Sequence, residues 1–125
     1  MNRNEIYNMF NGRCAYSGTP LKEDWQIDHI IPKNIGGSNN IDNLLPVQKI
    51  LNHYKRSLSL EDFRIKWLGG LHIRLAKLPK NPRTEQSKKR IQYLQEIAKL
   101  FNITPDKPFS KVFYFEYMEK ERNNA

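Results

Sequence analysis

The spacing of apolar residues in the first half of the chain changes from helical to strand-like. Apolar residues recur at helical spacing near the N-terminus and Gly12 follows them, so a short helix is predicted over residues 3–11. The sequence RCAYSGTPL at 13–21 is typical of a tight hairpin or a knuckle. The run WQIDHIIP at 25–32 is rich in strand formers and ends in a proline, so it predicts a β-strand. The polar run KNIGGSNNID at 33–42 predicts a loop.

A two-faced helix is predicted after this loop, because Pro46 suits the first turn of a helix. An apolar stripe and an adjoining polar stripe follow at helical spacing, the first made of Val47, Ile50, Leu51 and Tyr54 and the second of Gln48, Asn52 and Lys55. We therefore expect Asn52 and Lys55 side by side, pointing away from the buried side of the helix.

Two further helices and a final strand are predicted in the second half. One helix runs from Leu60 towards Leu78, with Ser59 as its cap and a weak point at Gly69 and Gly70. Thr84 can cap the next helix, which carries an apolar stripe up to Phe101. The aromatic run KVFYFEYM at the C-terminal end predicts a strand.

Composition indicates one globular domain. The chain has 125 residues, of which 38% are hydrophobic and 11% aromatic, enough for a modest core. No apolar run approaches the roughly 20 residues that a membrane span needs. The N-terminal residues lack a secretory apolar segment, and a single cysteine, Cys14, rules out an internal disulfide framework. We therefore expect a cytoplasmic protein in a reducing compartment.

The charge distribution suggests a polyanionic partner. The net charge is +8, and the segment from Arg74 to Arg90 holds seven basic residues against a single acid, Glu85. Such an excess is the usual footprint of nucleic-acid binding. The alternative is that these side chains only solvate the outer face of a helix.

Asp28 and His29 are the most unusual pair in the chain, because they lie inside an apolar strand-like run. Burying a carboxylate and an imidazole costs free energy unless a metal, a hydrogen-bond network or a substrate compensates. Taken alone, His29 could be a hydrogen-bonded histidine in a sheet, and Asp28 could pair with Lys33 or cap a turn.

The stretch DHIIPKNIGGSNNIDNLLPVQKILNHYK, residues 28–55, resembles the HNH endonuclease family. The shared pattern is an Asp-His strand, a loop, an asparagine at Asn43, and a helix that carries Asn52 and Lys55. The resemblance covers about residues 12–56. It implies an α+β fold with a ββα-metal (His-Me finger) core, followed by a basic helical extension over about 59–125 with a possible terminal strand, all within one domain over 1–125.

The resemblance also implies a role for each polar residue. His29 would be the general base, and Asn43 would hold the loop and the orientation of His29. Asp28 and Asn52 would bind Mg²⁺, Mn²⁺ or another divalent cation through oxygen atoms. His53 competes with Asn52 for this role, but the two lie about 100° apart on a helix, and the register against the family selects Asn52.

Many members of this family hold a structural zinc with two Cys-x-x-Cys pairs. The corresponding positions in this chain are Cys14, Ser17, Gln48 and Leu51. Zinc needs about four N, S or O ligands, and Leu51 cannot supply one. We therefore expect no structural zinc and a buried, apolar role for Cys14.

The expected function is that of a divalent-metal-dependent DNA endonuclease. Contacts to the DNA backbone, with little sequence preference, are expected from Lys33, Lys55, Arg56, Arg83, Lys88, Lys89 and Arg90. The alternative is a DNA-binding module that has lost catalysis on the same scaffold. Phage, mobile-element and restriction roles all remain open, as does the oligomeric state.

Overall fold

A computed structural model describes residues 2–123 and shows an α+β fold. The described chain divides into two compact units. The first takes the described residues up to Asp62 together with those from Val112 onward, and the second is Phe63–Lys111. A single domain over 1–125 remains a prediction, and each unit is described by itself.

Most regular elements belong to the first unit. In chain order, the helices and strands of the described chain are α1 (Arg3–Asn8), β1 (Gln26–His29), β2 (Leu44–Val47), α2 (Lys49–Lys55), α3 (Leu60–Asp62), α4 (Leu71–Ala76), α5 (Glu85–Leu100) and α6 (Tyr114–Asn123). Short 3-10 turns lie at Lys33–Ile35 and Ile41–Asn43, and a π-helical segment lies at Phe63–Leu68.

The sheet of the first unit has two antiparallel strands, β1 and β2, in which Asp28 faces Leu45 and His29 faces Leu44. Pro46 lies in β2, opposite Ile27, so the prediction that Pro46 opens a helix is wrong. Proline is compatible with this short strand because its carbonyl still accepts a 2.8 Å hydrogen bond from the Ala15 amide, while its ring is buried.

The helix predicted after the loop therefore begins later, at Lys49. Its apolar stripe is correct, since Leu51 and Tyr54 are buried. Its polar stripe is not exposed as predicted, because Gln48 is only 3% exposed and Lys55 is fully buried. Both positions satisfy their polar groups with partners distant in sequence, as the site geometry below shows.

The C-terminal residues form a helix, α6, where a strand was predicted. The amides of Tyr114 and Phe115 donate to the carbonyls of Tyr16 and Ala15 at 3.1 and 2.8 Å. These residues dock on the hairpin predicted at 13–21, which an antiparallel bridge between Arg13 and Pro20 closes. Phe113 and Phe115 are buried there beside Tyr16. Beyond that contact the chain continues as a helix.

The second unit contains α4 and α5. Thr84 caps α5 as predicted, since its hydroxyl accepts a 3.0 Å hydrogen bond from the Ser87 amide. The helix predicted from Leu60 is interrupted at Gly69, where a Cβ would lie 2.2 Å from the Ile65 carbonyl oxygen. No helix within residues 2–123 is long and apolar enough to cross a membrane.

Candidate active site

A hollow of about 290 Å³ opens beside the end of β1 in the first unit. It is lined by Asp28, His29, Pro32, Lys33, Asn34, Lys55, Arg56 and Ser57. The structure thus brings together an acid, an imidazole and three basic side chains from β1, the following loop and the end of α2. Two further sequence-predicted residues, Asn43 and Asn52, are not part of this lining.

The carboxylate of Asp28 is held by three donors and is only 7% exposed. Its Oδ1 accepts a 2.9 Å hydrogen bond from the His29 amide. Its Oδ2 accepts a 2.5 Å hydrogen bond from the Tyr16 hydroxyl and pairs with the Lys55 ammonium at 3.1 Å. A hydrogen-bond network with one ion pair therefore compensates the free-energy cost of burying this carboxylate.

Tyr16 is a residue that the sequence did not single out, and it is 1% exposed. The pKa of Tyr16 is raised well above its ordinary value. Burial is the largest cause, and the charge of Asp28, the hydrogen bond to that carboxylate and the nearby Cys14 add to it. The phenol therefore stays protonated and acts as a donor to Asp28. Nothing in the hairpin sequence distinguishes this tyrosine from an ordinary core aromatic.

Lys55 is fully buried, and its ammonium lies 3.1 Å from Asp28 Oδ2 and 3.4 Å from the His29 carbonyl oxygen. The prediction that Lys55 points away from the buried side of the helix is therefore wrong, whereas its contact with the DNA backbone stays a prediction. A buried ammonium requires a counter-charge, and Asp28 supplies it. Lys55 thus places a buried positive charge beside the hollow, whereas Lys33 and Arg56 line the hollow with exposed side chains.

His29 is the last residue of β1 and is half-buried. Its Nε2 lies 2.9 Å from the Oδ1 atom of Asn39. In the tautomer that donates from Nε2 to this amide oxygen, Nδ1 is the ring nitrogen without a hydrogen. The sequence did not identify Asn39, since the loop contains several asparagines and only the folded loop selects one.

Asn43 is buried and ties together the loop that follows β1. Its Oδ1 accepts from the Ile31 amide at 2.8 Å, while its Nδ2 donates to the carbonyls of Ile31 and Ser38 at 3.2 and 2.8 Å. The same loop requires Gly37, because a Cβ there would lie 1.7 Å from the Ile31 carbonyl oxygen. Asn43 thus shapes the loop that carries Asn39, the side chain that contacts His29.

Asn52 lies on α2, one turn before Lys55. Its Nδ2 donates a 2.7 Å hydrogen bond to Gln26 Oε1, which leaves the amide oxygen as the atom suited to another partner. Since Gln26 and Asp28 share one face of β1, the helix face with Asn52 and Lys55 runs along that strand face. His53, the competing residue, is exposed.

Gln48 is the buried residue that the sequence resemblance aligns with a zinc-binding cysteine of other family members. Its Nε2 donates to the Pro20 carbonyl at 2.6 Å and to the Thr19 hydroxyl at 3.2 Å, and its Oε1 accepts from the Lys22 amide at 3.3 Å. The backbone amide of Gln48 lies 3.4 Å from the sulfur of Cys14. Cys14 is buried, as predicted. One carboxamide thus joins the hairpin to the start of α2.

Two side chains of this unit, Asp28 at the hollow and Asn52 outside its lining, carry oxygen donors of a kind that suits a hard divalent cation. No group of three or more His, Cys, Asp or Glu side chains capable of holding a metal occurs among residues 2–123. The carboxylate of Asp28 and the free amide oxygen of Asn52 are oxygen donors of the type that Mg²⁺ prefers, and a sparse protein donor set leaves room for water and phosphate oxygens. Any cation there shares Asp28 with the Lys55 ammonium.

The hairpin, the two-stranded sheet and the Asp-His pair at the end of β1 all lie within residues 13–47. The family model described as HNH endonuclease matches residues 12–47, which confirms the resemblance to this family. The matched residues include β1, the loop and β2 and end before α2. No curated protein and no solved structure matches the chain.

The hydrogen bonds of Gln48 lead to a prediction about stability. We expect strong chelators to leave the thermal unfolding midpoint unchanged, because no metal is needed where this carboxamide joins the hairpin to α2. Gln48→Ala should lower the free energy of unfolding by about 1–3 kcal/mol, the usual cost of leaving buried polar groups unsatisfied. Gln92→Ala, at an exposed position of α5, is the control. One tightly held zinc per chain, with unfolding on its removal, would contradict this prediction.

Proposed function

We propose that this protein is a divalent-metal-dependent DNA endonuclease that hydrolyses phosphodiester bonds at the hollow beside His29. The proposal includes a ββα-metal core made of β1, β2 and α2. The observation that carries it is the meeting of Asp28 and His29 at one hollow, within the segment that matches the HNH endonuclease family. The exposed Lys33 and Arg56 at the same hollow suit a polyanionic substrate.

His29 would act as the general base. An imidazole has the intrinsic pKa to accept a proton from water near neutral pH. The contact between Nε2 and Asn39 fixes the ring and leaves Nδ1 to take that proton. Asn43 supports this arrangement by holding the loop.

Asp28 and Asn52 would hold the cation, for which Mg²⁺ and Mn²⁺ are the proposed choices. When bound, such an ion supplies positive charge to the phosphate and the leaving oxygen. The chain contributes a carboxylate whose orientation is set by fixed donors, and the buried Lys55 ammonium keeps positive charge beside it.

Affinity for DNA would come largely from basic residues that contact phosphates. Lys33 and Arg56 lie at the hollow, whereas Arg83, Lys88, Lys89 and Arg90 are exposed in the second unit, at and before the first turns of α5. Lys88 already pairs with Glu85 at 3.3 Å, an exposed contact worth little. Arg74 belongs to the same basic segment but donates to the carbonyls of Lys66 and Trp67, which is a structural role.

A charge-removal variant separates DNA binding from simple solvation. Lys88/Lys89/Arg90→Ala should weaken affinity alike for unrelated DNA sequences, and the slope of log affinity against log salt should fall by about 0.9 per lost phosphate contact. Lys99/Lys107/Lys120→Ala removes the same charge from other exposed positions and is the control. If the first variant binds like wild type, with an unchanged slope, these residues only solvate α5. The measurement is fluorescence anisotropy of labelled duplexes in EDTA over a range of salt concentrations.

The runner-up function is a DNA-binding module without catalysis. The Asp28, His29 and Asn52 set favours an enzyme, since a binding module has no use for a positioned base. Incubation of the purified protein with supercoiled plasmid, in Mg²⁺ or in EDTA, separates the two functions. Nicked or linear product in Mg²⁺ supports the endonuclease, and binding without product supports the module.

A further inference from the structure

We propose that Tyr16 is a positioning residue for Asp28, and that its hydroxyl sets the orientation in which the carboxylate meets a divalent cation. The inference rests on the proposed function, since it assigns Asp28 to the metal. It adds a residue that lies on the hairpin, outside both strands and α2. The contact that carries it is the 2.5 Å hydrogen bond from the Tyr16 hydroxyl to Asp28 Oδ2.

The Tyr16 hydroxyl is a fixed point because the rest of the residue is held on several sides. Its ring lies 5.0 Å from the Phe113 ring and 6.3 Å from the Phe115 ring, between centroids. Its carbonyl accepts a 3.1 Å hydrogen bond from the Tyr114 amide. The C-terminal segment therefore holds Tyr16 against the hairpin, and Tyr16 in turn holds Asp28.

The other two donors to Asp28 do not replace this contact. The His29 amide bonds to Oδ1 and leaves the position of Oδ2 open to rotation of the carboxylate. Lys55 reaches Oδ2 through a long side chain with many rotamers, whereas a buried phenol has few. Without the hydroxyl, we expect the carboxylate to follow the ammonium, which competes with a divalent cation for the same oxygen.

Tyr16→Phe tests this proposal, because it removes the hydroxyl and keeps the ring packing. Mn²⁺ binding to the full chain is measured without DNA, from the electron paramagnetic resonance signal of free Mn²⁺. Loss of a residue that orients a metal ligand typically weakens metal affinity about 10–100-fold, and we expect a loss in this range. The Mn²⁺ concentration for half-maximal plasmid cleavage should rise in parallel, while DNA affinity in EDTA stays unchanged.

Two controls separate positioning from stability. Tyr114→Phe removes a tyrosine hydroxyl of the same unit that does not contact Asp28, and it should bind Mn²⁺ like wild type. Ile6→Val loosens the cluster that Ile6 forms with Trp25 and Leu44 and leaves Tyr16 and its ring neighbours unchanged, so it should lower the unfolding midpoint with little change in Mn²⁺ affinity. This variant also keeps the test decisive if Tyr16→Phe folds poorly, because a merely structural Tyr16 predicts weak Mn²⁺ binding by Ile6→Val as well.

The outcomes also separate this inference from the proposed function. If wild type binds Mn²⁺ and Tyr16→Phe binds it within twofold, the positioning role is overturned and the endonuclease proposal stands. If wild type binds no Mn²⁺ and does not cleave DNA, the proposed function fails and this inference fails with it. Weak binding by Tyr16→Phe together with normal binding by both controls supports the positioning role.

Discussion

His29→Ala should cleave supercoiled plasmid about 10²–10⁴ times more slowly than wild type, which is the usual contribution of a positioned general base. Alanine removes the only imidazole at the hollow beside Asp28, among the residues that the structure describes. The attacking water then loses its proton acceptor, while the donors that hold Asp28 remain. The rate is the first-order loss of supercoiled plasmid in Mg²⁺ at neutral pH.

The matched control is His53→Ala, which removes an exposed imidazole from α2 and should keep the wild-type rate. The fold and the DNA affinity of His29→Ala in EDTA should stay close to wild type, because His29 is half-buried at the end of a strand. Cleavage by His29→Ala within a few-fold of wild type would rule out His29 as the base. A loss of equal size in His53→Ala would show that the effect is not specific to His29, and it would favour His53 over Asn52 as the helix residue at the site.

Lys55→Met should be strongly destabilised, by about 3–5 kcal/mol, because it leaves the buried carboxylate of Asp28 without its ammonium partner. Methionine preserves much of the apolar length of lysine, so the loss reports the charge and not a cavity. The ion pair is close, at 3.1 Å, and the lysine side chain is fully buried. Urea unfolding in EDTA measures the change in the free energy of unfolding.

Lys49→Met is the control for this variant, since it removes an exposed lysine from the same helix and should change stability by less than about 0.5 kcal/mol. Adding Asp28→Asn to Lys55→Met should recover part of the loss, because the unpaired charge is then gone. A Lys55→Met protein as stable as wild type would show that the pair has no structural importance. The structural basis for calling Lys55 the resident counter-charge of Asp28 would then be lost.

Local sequence patterns predicted the parts of the fold that depend on near neighbours. The strand that carries Asp28 and His29, the loop after it and the cap of α5 at Thr84 each follow from residues close in sequence. The strand β2 and the helix α6 were missed. Pro46 suits both a helix start and a short strand, so its sequence context does not decide between them. The aromatic residues around Phe113 favour a strand, but their contacts with the hairpin override this local preference.

Distant partners decided the parts of the site that the sequence could not predict. Lys55 has the spacing of an exposed helix face, and only the buried Asp28 draws it inward. The sequence around Tyr16 predicts an ordinary core aromatic residue, and only the structure shows the hydrogen bond from its hydroxyl to the Asp28 carboxylate. Asn39 was indistinguishable from its neighbours, because closure of the loop alone determines which side chain reaches His29.

Plasmid cleavage is the most direct test of the central claim, that this chain is a divalent-metal-dependent DNA endonuclease. Wild type and His29→Ala are purified in parallel and incubated with supercoiled plasmid in Mg²⁺ or in EDTA. We predict nicked or linear product from wild type in Mg²⁺, none in EDTA, and a rate lower by about 10²–10⁴ for His29→Ala. Absence of cleavage by folded, DNA-binding wild type in Mg²⁺ and in Mn²⁺, or equal cleavage by both proteins, would contradict the account.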